Sequence, residues 1–140
     1  MRFWESSALV ALIVEQEGTP RVRGLHSGDV DLAAWLLSDI EVRSAIERLR
    51  REGALSAREA DEDVLEAEAL WEQIRVIELV DAVKLRARRL LGAHALRAAD
   101  ALQLGAALVT ADDDPRRIEF VTLDERLAEA ARREGFRVLP

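Results

Sequence analysis

The sequence predicts an α/β fold in which a parallel sheet lies between two layers of helices. Short apolar segments alternate along the chain with longer segments whose apolar residues recur at helical spacing. Strands separated by helices pair in parallel through right-handed crossovers. Alanine and leucine, 23 and 21 of the 140 residues, favour helix, while the absence of tyrosine and the presence of only three prolines argue against an all-β fold.

Five short apolar segments are predicted to be strands. The second is an apolar run with one acid near its start, which is typical of a strand buried on both faces. The five predicted strands are Arg2–Glu5, Val30–Leu37, Arg75–Leu79, Glu119–Leu123 and Phe136–Leu139.

The helices of the first half begin and end at recognisable signals. The helix after the first strand keeps its apolar spacing until Gly18 stops it. Two Ser-x-x-Glu sequences, beginning at Ser38 and Ser56, match the capping box that opens a helix. The predicted helices are Ser6–Glu17, Pro20–His26, Ser38 to Gly53, and Ser56 to about Gln73.

Three further helices are predicted in the second half. The middle one is apolar except on one face, which Asp100 and Gln103 interrupt. A polar loop with a DDDP run follows it, and Gly135 closes the last helix. The three helices are Val80–Leu91, Ala95–Val109 and Asp124–Arg133, and the loop is Ala111–Arg117.

Composition and charge limit the classes of function. We expect a chain of 140 residues to form one domain, 1–140. The absence of cysteine excludes a disulfide scaffold, a cysteine-ligated zinc site and a thiol nucleophile, and two histidines are too few for a multi-histidine metal site. A net charge of −7 argues against a protein that holds nucleic acid by phosphate neutralisation alone. The excess acid is either solvated helix surface or part of a metal site.

No segment predicts membrane insertion or export. The apolar runs are shorter than the ~18 residues that a membrane span needs. Glu5 interrupts the N-terminal stretch that a signal peptide would keep apolar. We therefore expect a soluble, cytoplasmic protein without a membrane partner.

Four acids stand where a functional site of a parallel sheet would form. Glu5 ends the first predicted strand, and Asp124 follows the fourth. Glu41 follows the second strand, with Asp39 as a competitor in the same turn, and Asp100 interrupts the apolar segment LRAADALQLGAALV. Polar groups at the carboxyl ends of such strands meet in one crevice. Several carboxylates with little histidine suit Mg²⁺ or Mn²⁺, and such a site would serve phosphodiester hydrolysis.

Each of these acids also has a structural interpretation. Glu5 would be an exposed strand end beside a helix N-terminus, where an acid is mildly favourable. Glu41 would complete the first capping box. Asp100 would form an ion pair with Arg97, and Asp124 would be a helix N-cap. The combination of four acids at these places favours the metal site.

Four segments resemble the motifs of PIN domains, in order and over essentially the whole chain. FWESSALVALIVEQEG is similar to the opening of that fold, where an acid ends the first strand and Ser or Thr follows. LLSDIEVRSAIERL resembles the second motif. LRAADALQLGAAL and FVTLDERLAEAARREGFRVL resemble the third and fourth, which are the specific ones. The compact length is similar to that of the VapC toxins of type II toxin–antitoxin systems.

The resemblance implies a three-layer α/β/α PIN-like domain with a five-stranded parallel sheet of order 3-2-1-4-5. It also implies an Mg²⁺- or Mn²⁺-dependent endoribonuclease, a homodimer, and a cognate VapB-like antitoxin. The protein would then contact DNA only indirectly, through the antitoxin. Carried over residue by residue, the catalytic and metal-binding acids are Glu5, Glu41, Asp100 and Asp124, and the supporting hydroxyls are Ser7 and Thr122.

One position departs from the family pattern. The first acid of the family is usually Asp, and here it is Glu5. The extra methylene moves the carboxylate by more than about 1 Å, a displacement to which catalysis is sensitive. The alternative hypothesis is therefore a PIN-like module of weakened activity that binds RNA or a protein.

Other candidate residues have plainer interpretations. The acids at 112–114 predict a solvated loop, because a calcium loop needs alternating ligands and Gly. His26 and His94 are predicted to be structural or exposed. No serine-hydrolase elbow, P-loop or dinucleotide fingerprint occurs, and the only lysine, Lys84, lies in a predicted helix, which argues against a receiver domain. Two arginine clusters are solvated helix faces or contacts for RNA phosphates: Arg48, Arg50 and Arg51, and Arg86, Arg88 and Arg89.

Overall fold

The five strands form one parallel sheet in the order β3-β2-β1-β4-β5, in a computed structural model that describes residues 1–28 and 31–140. The five strands, their parallel pairing and the order 3-2-1-4-5 are therefore confirmed, although each strand is shorter than its predicted range. Val30, the predicted start of the second strand, lies outside the described residues. The strands are β1 (Arg2–Trp4), β2 (Leu32–Trp35), β3 (Arg75–Ile77), β4 (Glu119–Val121) and β5 (Arg137–Leu139).

The register of the central strands brings their ends together. Phe3 of β1 pairs with Phe120 of β4, and the two rings stack with centroids 5.6 Å apart. The next backbone hydrogen bond of the same ladder runs from Glu5 N to the carbonyl oxygen of Val121, at 3.0 Å. Glu5 and Thr122 are therefore neighbours at the carboxyl edge of the sheet.

Seven helices and one short 3₁₀ turn connect the strands within the described part of the chain. Their number and order follow the prediction, and most of their ends differ from the predicted bounds by one to four residues. The helices are α1 (Ser6–Ile13), α2 (Thr19–Ser27), α3 (Ser38–Arg51), α4 (Ala57–Trp71), α5 (Val80–Ala93), α6 (Ala98–Thr110) and α7 (Glu125–Glu134), and the 3₁₀ turn is Pro115–Arg117.

Two helix ends were predicted wrongly. Helix α1 ends at Ile13 rather than at Glu17, because Val14 is extended and Thr19 Oγ1 donates a hydrogen bond to the carbonyl oxygen of Ala11 at 2.8 Å. Helix α6 begins at Ala98 rather than at Ala95. At α1, the segment 15–17 consists of helix-favouring Glu and Gln residues that run on to Gly18 without continuing the helix. At α6, Ala95 and Leu96 continue the apolar spacing ahead of the first hydrogen-bonded turn.

Helices cover both faces of the sheet, as the three-layer prediction requires. Successive residues of a strand point to opposite faces. Phe3 packs with residues of α5, α6 and α7, including Val83 and Leu104. Trp4 packs with residues of α1, α3 and α4, including Leu9. Each face thus has its own buried apolar cluster.

Helix α6 lies very close to α5 because of Gly105. A Cβ at this position would stand 2.9 Å from the backbone carbonyl oxygen of Val83, a distance that requires the backbone to shift. The close packing of these two helices sets the position of the first turn of α6, which carries Asp100. No helix within residues 1–28 and 31–140 is both long and apolar enough to cross a membrane.

Candidate active site

Glu5 is a buried carboxylate at the junction between β1 and α1. It is only 6% exposed, so it is not the exposed strand end of the structural interpretation. It is the N-cap of α1, where its Oε2 accepts a hydrogen bond from Ser7 N at 3.0 Å. The hydroxyls of Ser7 and Thr122 donate to the same oxygen, the latter at 2.8 Å. Burial raises the pKa of Glu5, and these donors offset part of that effect.

The hydroxyls of Ser7 and Thr122 connect Glu5 to the segment after β4. Ser7 Oγ accepts a hydrogen bond from Leu123 N at 2.9 Å, and Thr122 Oγ1 accepts one from Asp124 N at 3.1 Å. Each hydroxyl therefore donates to the carboxylate and accepts from the backbone. The two hydroxyls named by the family resemblance lie against the acid that they were expected to support.

Asp124 is the N-cap of α7, as its structural interpretation proposed. Its Oδ1 accepts a hydrogen bond from Leu127 N at 2.9 Å. Its backbone links it to Thr122 and so to Glu5. The capping role uses one carboxylate oxygen and leaves the other for a second role.

The predicted capping box of Ser38 and Glu41 is wrong. Leu37 is the N-cap of α3, and no side chain caps that end. Ser38 is a helical residue whose Oγ lies 2.9 Å from Nε2 of Gln103, and Glu41 Oε1 lies 2.9 Å from the same nitrogen. Ser38 and Glu41 therefore share a hydrogen-bond partner on a distant helix instead of capping the start of their own helix. The box that begins at Ser56 is present, with both of its hydrogen bonds to Glu59.

Glu41 is half-buried at the start of α3 and is electrostatically coupled to two other acids. Burial raises the pKa of Glu41, the hydrogen bonds from Gln103 and Ser6 lower it, and the charge of Asp100 raises it again. The charge of Glu41 in turn raises the pKa of Glu5. Because such coupling falls off with distance, Glu5, Glu41 and Asp100 belong to one neighbourhood.

Asp100 stands in the first turn of α6, not in the middle of a buried helix. Its Oδ2 accepts a hydrogen bond from the backbone N–H of Arg97 at 3.1 Å, which replaces the predicted ion pair with the guanidinium. Asp100 is half-buried. The competitor Asp39 is directed elsewhere, into a groove between α3 and α4 that Leu9 and Trp71 also line.

Gln103 is a residue of the site to which the sequence assigned no role. It is 1% exposed, and its Nε2 lies within hydrogen-bond distance of acceptors on two other helices, α1 and α3. Its position one turn after Asp100, on an otherwise apolar helix, is the signal that could have found it. A buried amide needs hydrogen-bond partners, and those at hand are the candidate acid Glu41 and two serines.

Comparison with known proteins identifies the family. No protein-family model matches the chain. Ribonuclease VapC45 of Mycobacterium tuberculosis (strain CDC 1551 / Oshkosh) and Ribonuclease VapC49 of Mycobacterium tuberculosis (strain ATCC 25618 / H37Rv) are each 31% identical to it over 138 residues. The matched region is 99% of this chain and 94% of each relative.

The chain belongs to the VapC family. The sheet order and the PIN-like α/β architecture agree with the family resemblance of the four motifs. The acidic edge of this VapC-type domain is therefore the place to test for a metal site.

Three of the four candidate carboxylates share a pattern of hydrogen bonding. The hydrogen bonds to Glu5 fall on Oε2, the one to Asp100 on Oδ2 and the one to Asp124 on Oδ1. The other oxygen of each accepts no hydrogen bond from the residues that the structure describes. An oxygen-only donor set of this kind fits Mg²⁺ or Mn²⁺. Among the described residues, no three acids or histidines are already gathered closely enough to hold a metal ion.

Half of the arginines in the two clusters form ion pairs with acids other than the four candidate acids. Arg50 pairs with Asp61, Arg86 with Asp113, and Arg89 with Glu134. These contacts favour a structural role over contacts to RNA phosphates for three of the six arginines.

The remaining candidates also have structural contacts. His94 Nε2 lies 2.7 Å from Glu134 Oε1, and the ring of His26 meets that of Trp4 edge-on with centroids 6.1 Å apart. The predicted solvated loop at 112–114 pairs each of its three acids with an arginine, Arg117, Arg86 and Arg116 respectively.

Proposed function

We propose that this chain is a divalent-metal-dependent endoribonuclease and the toxin of a VapBC-type toxin–antitoxin system. The observation that carries the proposal is the set of four acids around one edge of the sheet, in a chain whose relatives are named ribonucleases. Hydrolysis of an RNA phosphodiester bond is the reaction that such a donor set serves.

The proposed ligands of the Mg²⁺ or Mn²⁺ ion are Glu5, Glu41, Asp100 and Asp124. When bound, the cation would lower the pKa of water and stabilise charge on the phosphate oxygens. Ser7 and Thr122 hold Oε2 of Glu5 by hydrogen bonds, so Oε1 would be the oxygen that binds the cation. Cleavage would leave a 3′-hydroxyl and a 5′-phosphate.

Two exposed arginines beside the acids are suited to the RNA backbone. Arg97 precedes α6 and Arg126 lies in the first turn of α7. Neither guanidinium forms an ion pair or hydrogen bond with another residue in the described ranges. They flank Asp100 and Asp124 in sequence, so positively charged side chains stand beside the acidic site. Such side chains would offset the repulsion between RNA phosphates and a chain whose net charge is −7.

The proposed partners are a cognate VapB-like antitoxin and a second copy of this chain, with DNA contacted only through the antitoxin. An apolar surface beside the site supports the homodimer: Leu37 is 45% exposed after β2, and Leu79 is 63% exposed after the neighbouring strand β3. Val80 next to them is 42% exposed. We place the protein in the cytoplasm, where its RNA substrate is made.

The second candidate function is a PIN-like module of weakened activity that binds RNA or a protein. The observation that favours it is Glu5, which stands where the family usually has Asp. The two functions differ in whether the chain hydrolyses RNA at a rate that depends on a divalent cation.

The substitution Asp100→Asn tests the proposal. Asn keeps an oxygen for the N–H of Arg97 and removes the negative charge that a cation needs. We expect cleavage of RNA to fall at least 100-fold, to the level of the parent with a chelator, while the melting temperature stays at that of the parent or rises. Retained cleavage together with a lower melting temperature would assign Asp100 a structural role and contradict the proposal.

A further inference from the structure

Gln103 is a buried polar side chain that the roles proposed above do not use. It lies on the inner face of α6, one helical turn after Asp100, and is 1% exposed. Its Nε2 lies 2.6 Å from Ser6 Oγ, 2.9 Å from Ser38 Oγ and 2.9 Å from Glu41 Oε1. One amide group therefore joins α1, α3 and α6 at the acidic edge.

Of the two possible orientations of this amide, the structure has the one that is favourable for Glu41. The amide nitrogen faces the carboxylate, whereas the opposite orientation would bring the amide oxygen against it, and two oxygens would repel. The amide oxygen is fully buried and accepts no hydrogen bond from residues 1–28 or 31–140. A buried oxygen without a donor is unfavourable for stability. The buried amide oxygen of Gln103 therefore lowers the stability of the fold, while the carboxylate of Glu41 gains a hydrogen-bond donor.

The serines of this cluster lie around the same amide nitrogen. Nε2 carries two protons, and three acceptors lie within its reach: Ser6 Oγ, Ser38 Oγ and Glu41 Oε1. Glu41 extends from α3 and is held by a donor on α6, which is itself in contact with Ser6 of α1. A half-buried Glu with three rotatable side-chain bonds gains a defined orientation from these contacts.

We propose that Gln103 is a positioning residue of the metal site, whose amide fixes the Glu41 carboxylate in the orientation that a divalent cation requires. The inference rests on the proposed function, because it assumes that Glu41 is a ligand. Groups that orient metal ligands typically change metal affinity or activity by 10–100-fold when they are removed. Helix α6 would then supply both a ligand, Asp100, and the support of a second ligand.

The substitution Gln103→Met provides the test, because Met keeps the length of the side chain and removes the amide. Mn²⁺ is added to the full-length chain, and the concentration that gives half of the maximal rise in melting temperature is measured. We expect this concentration to increase about tenfold or more. We also expect kcat for RNA cleavage to fall with little change in KM, because the substrate does not touch Gln103.

The metal-free melting temperature separates positioning from packing. Met removes the unsatisfied amide oxygen, but it also leaves Ser6, Ser38 and Glu41 without the amide donor. These two effects oppose each other, so we expect the melting temperature of the metal-free variant to stay close to that of the parent. The matched control is Thr110→Val, which removes a hydrogen bond from the same helix, that of Thr110 Oγ1 to the carbonyl oxygen of Ala106. This control should leave Mn²⁺ affinity and kcat at the parent values.

Three results would overturn the inference. If Gln103→Met bound Mn²⁺ within twofold of the parent, Gln103 would not position a ligand. If the metal-free melting temperature fell while Mn²⁺ affinity stayed the same, Gln103 would be a packing residue only. If Mn²⁺ did not stabilise the parent and a chelator did not slow cleavage, the proposed function would fail first, and the inference with it.

Discussion

Thr122 Oγ1 donates a hydrogen bond of 2.8 Å to Glu5 Oε2, although the two residues are 117 positions apart in the chain. The contact exists because β1 and β4 are parallel neighbours that end at the same edge. It holds the carboxylate that departs from the family pattern, and it fixes which oxygen of Glu5 is available to a cation.

The substitution Glu5→Asp tests whether the site has adjusted to the longer side chain. Asp would draw the carboxylate back by about one bond length, so it could not keep both the contact with Thr122 and the reach to a cation. We expect the single-turnover rate of RNA cleavage to fall, measured beside the parent with and without chelator. A rise of tenfold or more, about 1.4 kcal/mol of transition-state stabilisation, would instead favour the module of weakened activity.

The role of the Thr122 hydroxyl can be tested separately from that of the side-chain volume. Thr122→Val keeps the shape and removes the donor to Glu5, and it leaves Asp124 N without its acceptor. We expect Mn²⁺ affinity to fall about tenfold and the free energy of unfolding to fall by about 1 kcal/mol. The matched variant is Thr122→Ser, which keeps the hydroxyl and should retain most of the affinity. Equal loss in both variants would show that the methyl group matters rather than the hydroxyl.

Binding of a divalent cation should stabilise the folded chain. A ligand at 100 times its Kd adds about 2.7 kcal/mol to the free energy of unfolding, so millimolar Mn²⁺ or Mg²⁺ should raise the melting temperature. The double variant Glu5→Gln with Asp124→Asn should lose this rise. Asn still accepts the capping hydrogen bond of α7, so the fold is kept. An equal rise in parent and double variant would place any bound metal elsewhere.

Glu134 gives the protein a dependence of stability on pH that is separate from the acidic edge. The hydrogen bonds from Arg89 and then from His94 lower the pKa of Glu134. A lowered folded pKa means that its contribution is present above the unfolded pKa of about 4.5 and is lost as the pH falls through the folded value. We expect Glu134→Gln to reduce the free energy of unfolding by about 1 kcal/mol at pH 7, with the difference shrinking below pH 4.5.

The control for that prediction is Glu129→Gln on the same helix. Glu129 pairs with Arg133 at i, i+4 and its side chain is 57% exposed, so its loss should matter by only a few tenths of a kcal/mol. Urea unfolding of parent and both variants between pH 3 and pH 8 measures the differences. A constant difference for Glu134→Gln over this range would contradict the assignment.

The sequence by itself determined the architecture and supplied the candidate residues of the site. Apolar segments of strand length alternate with amphipathic helices, and this pattern allows few arrangements other than a parallel sheet with covered faces. Glu5 and Asp124 stand at the ends of the first and fourth predicted strands, which is enough to predict that both lie at the carboxyl edge of the sheet. Helix ends were less well determined, since helix-favouring residues continue past Ile13 and apolar spacing begins before Ala98, in both cases outside the helix that forms.

Only the tertiary structure decided which hydrogen bonds each side chain makes. The Ser-x-x-Glu pattern at Ser56 forms a capping box at an exposed helix start, and the same pattern at Ser38 does not. At Ser38 the helix start is buried against α6, where the amide of Gln103 donates to both residues of the would-be box. A local pattern describes only the partners within one turn, whereas a buried polar group bonds to whichever donor the packing of distant helices brings within 3 Å.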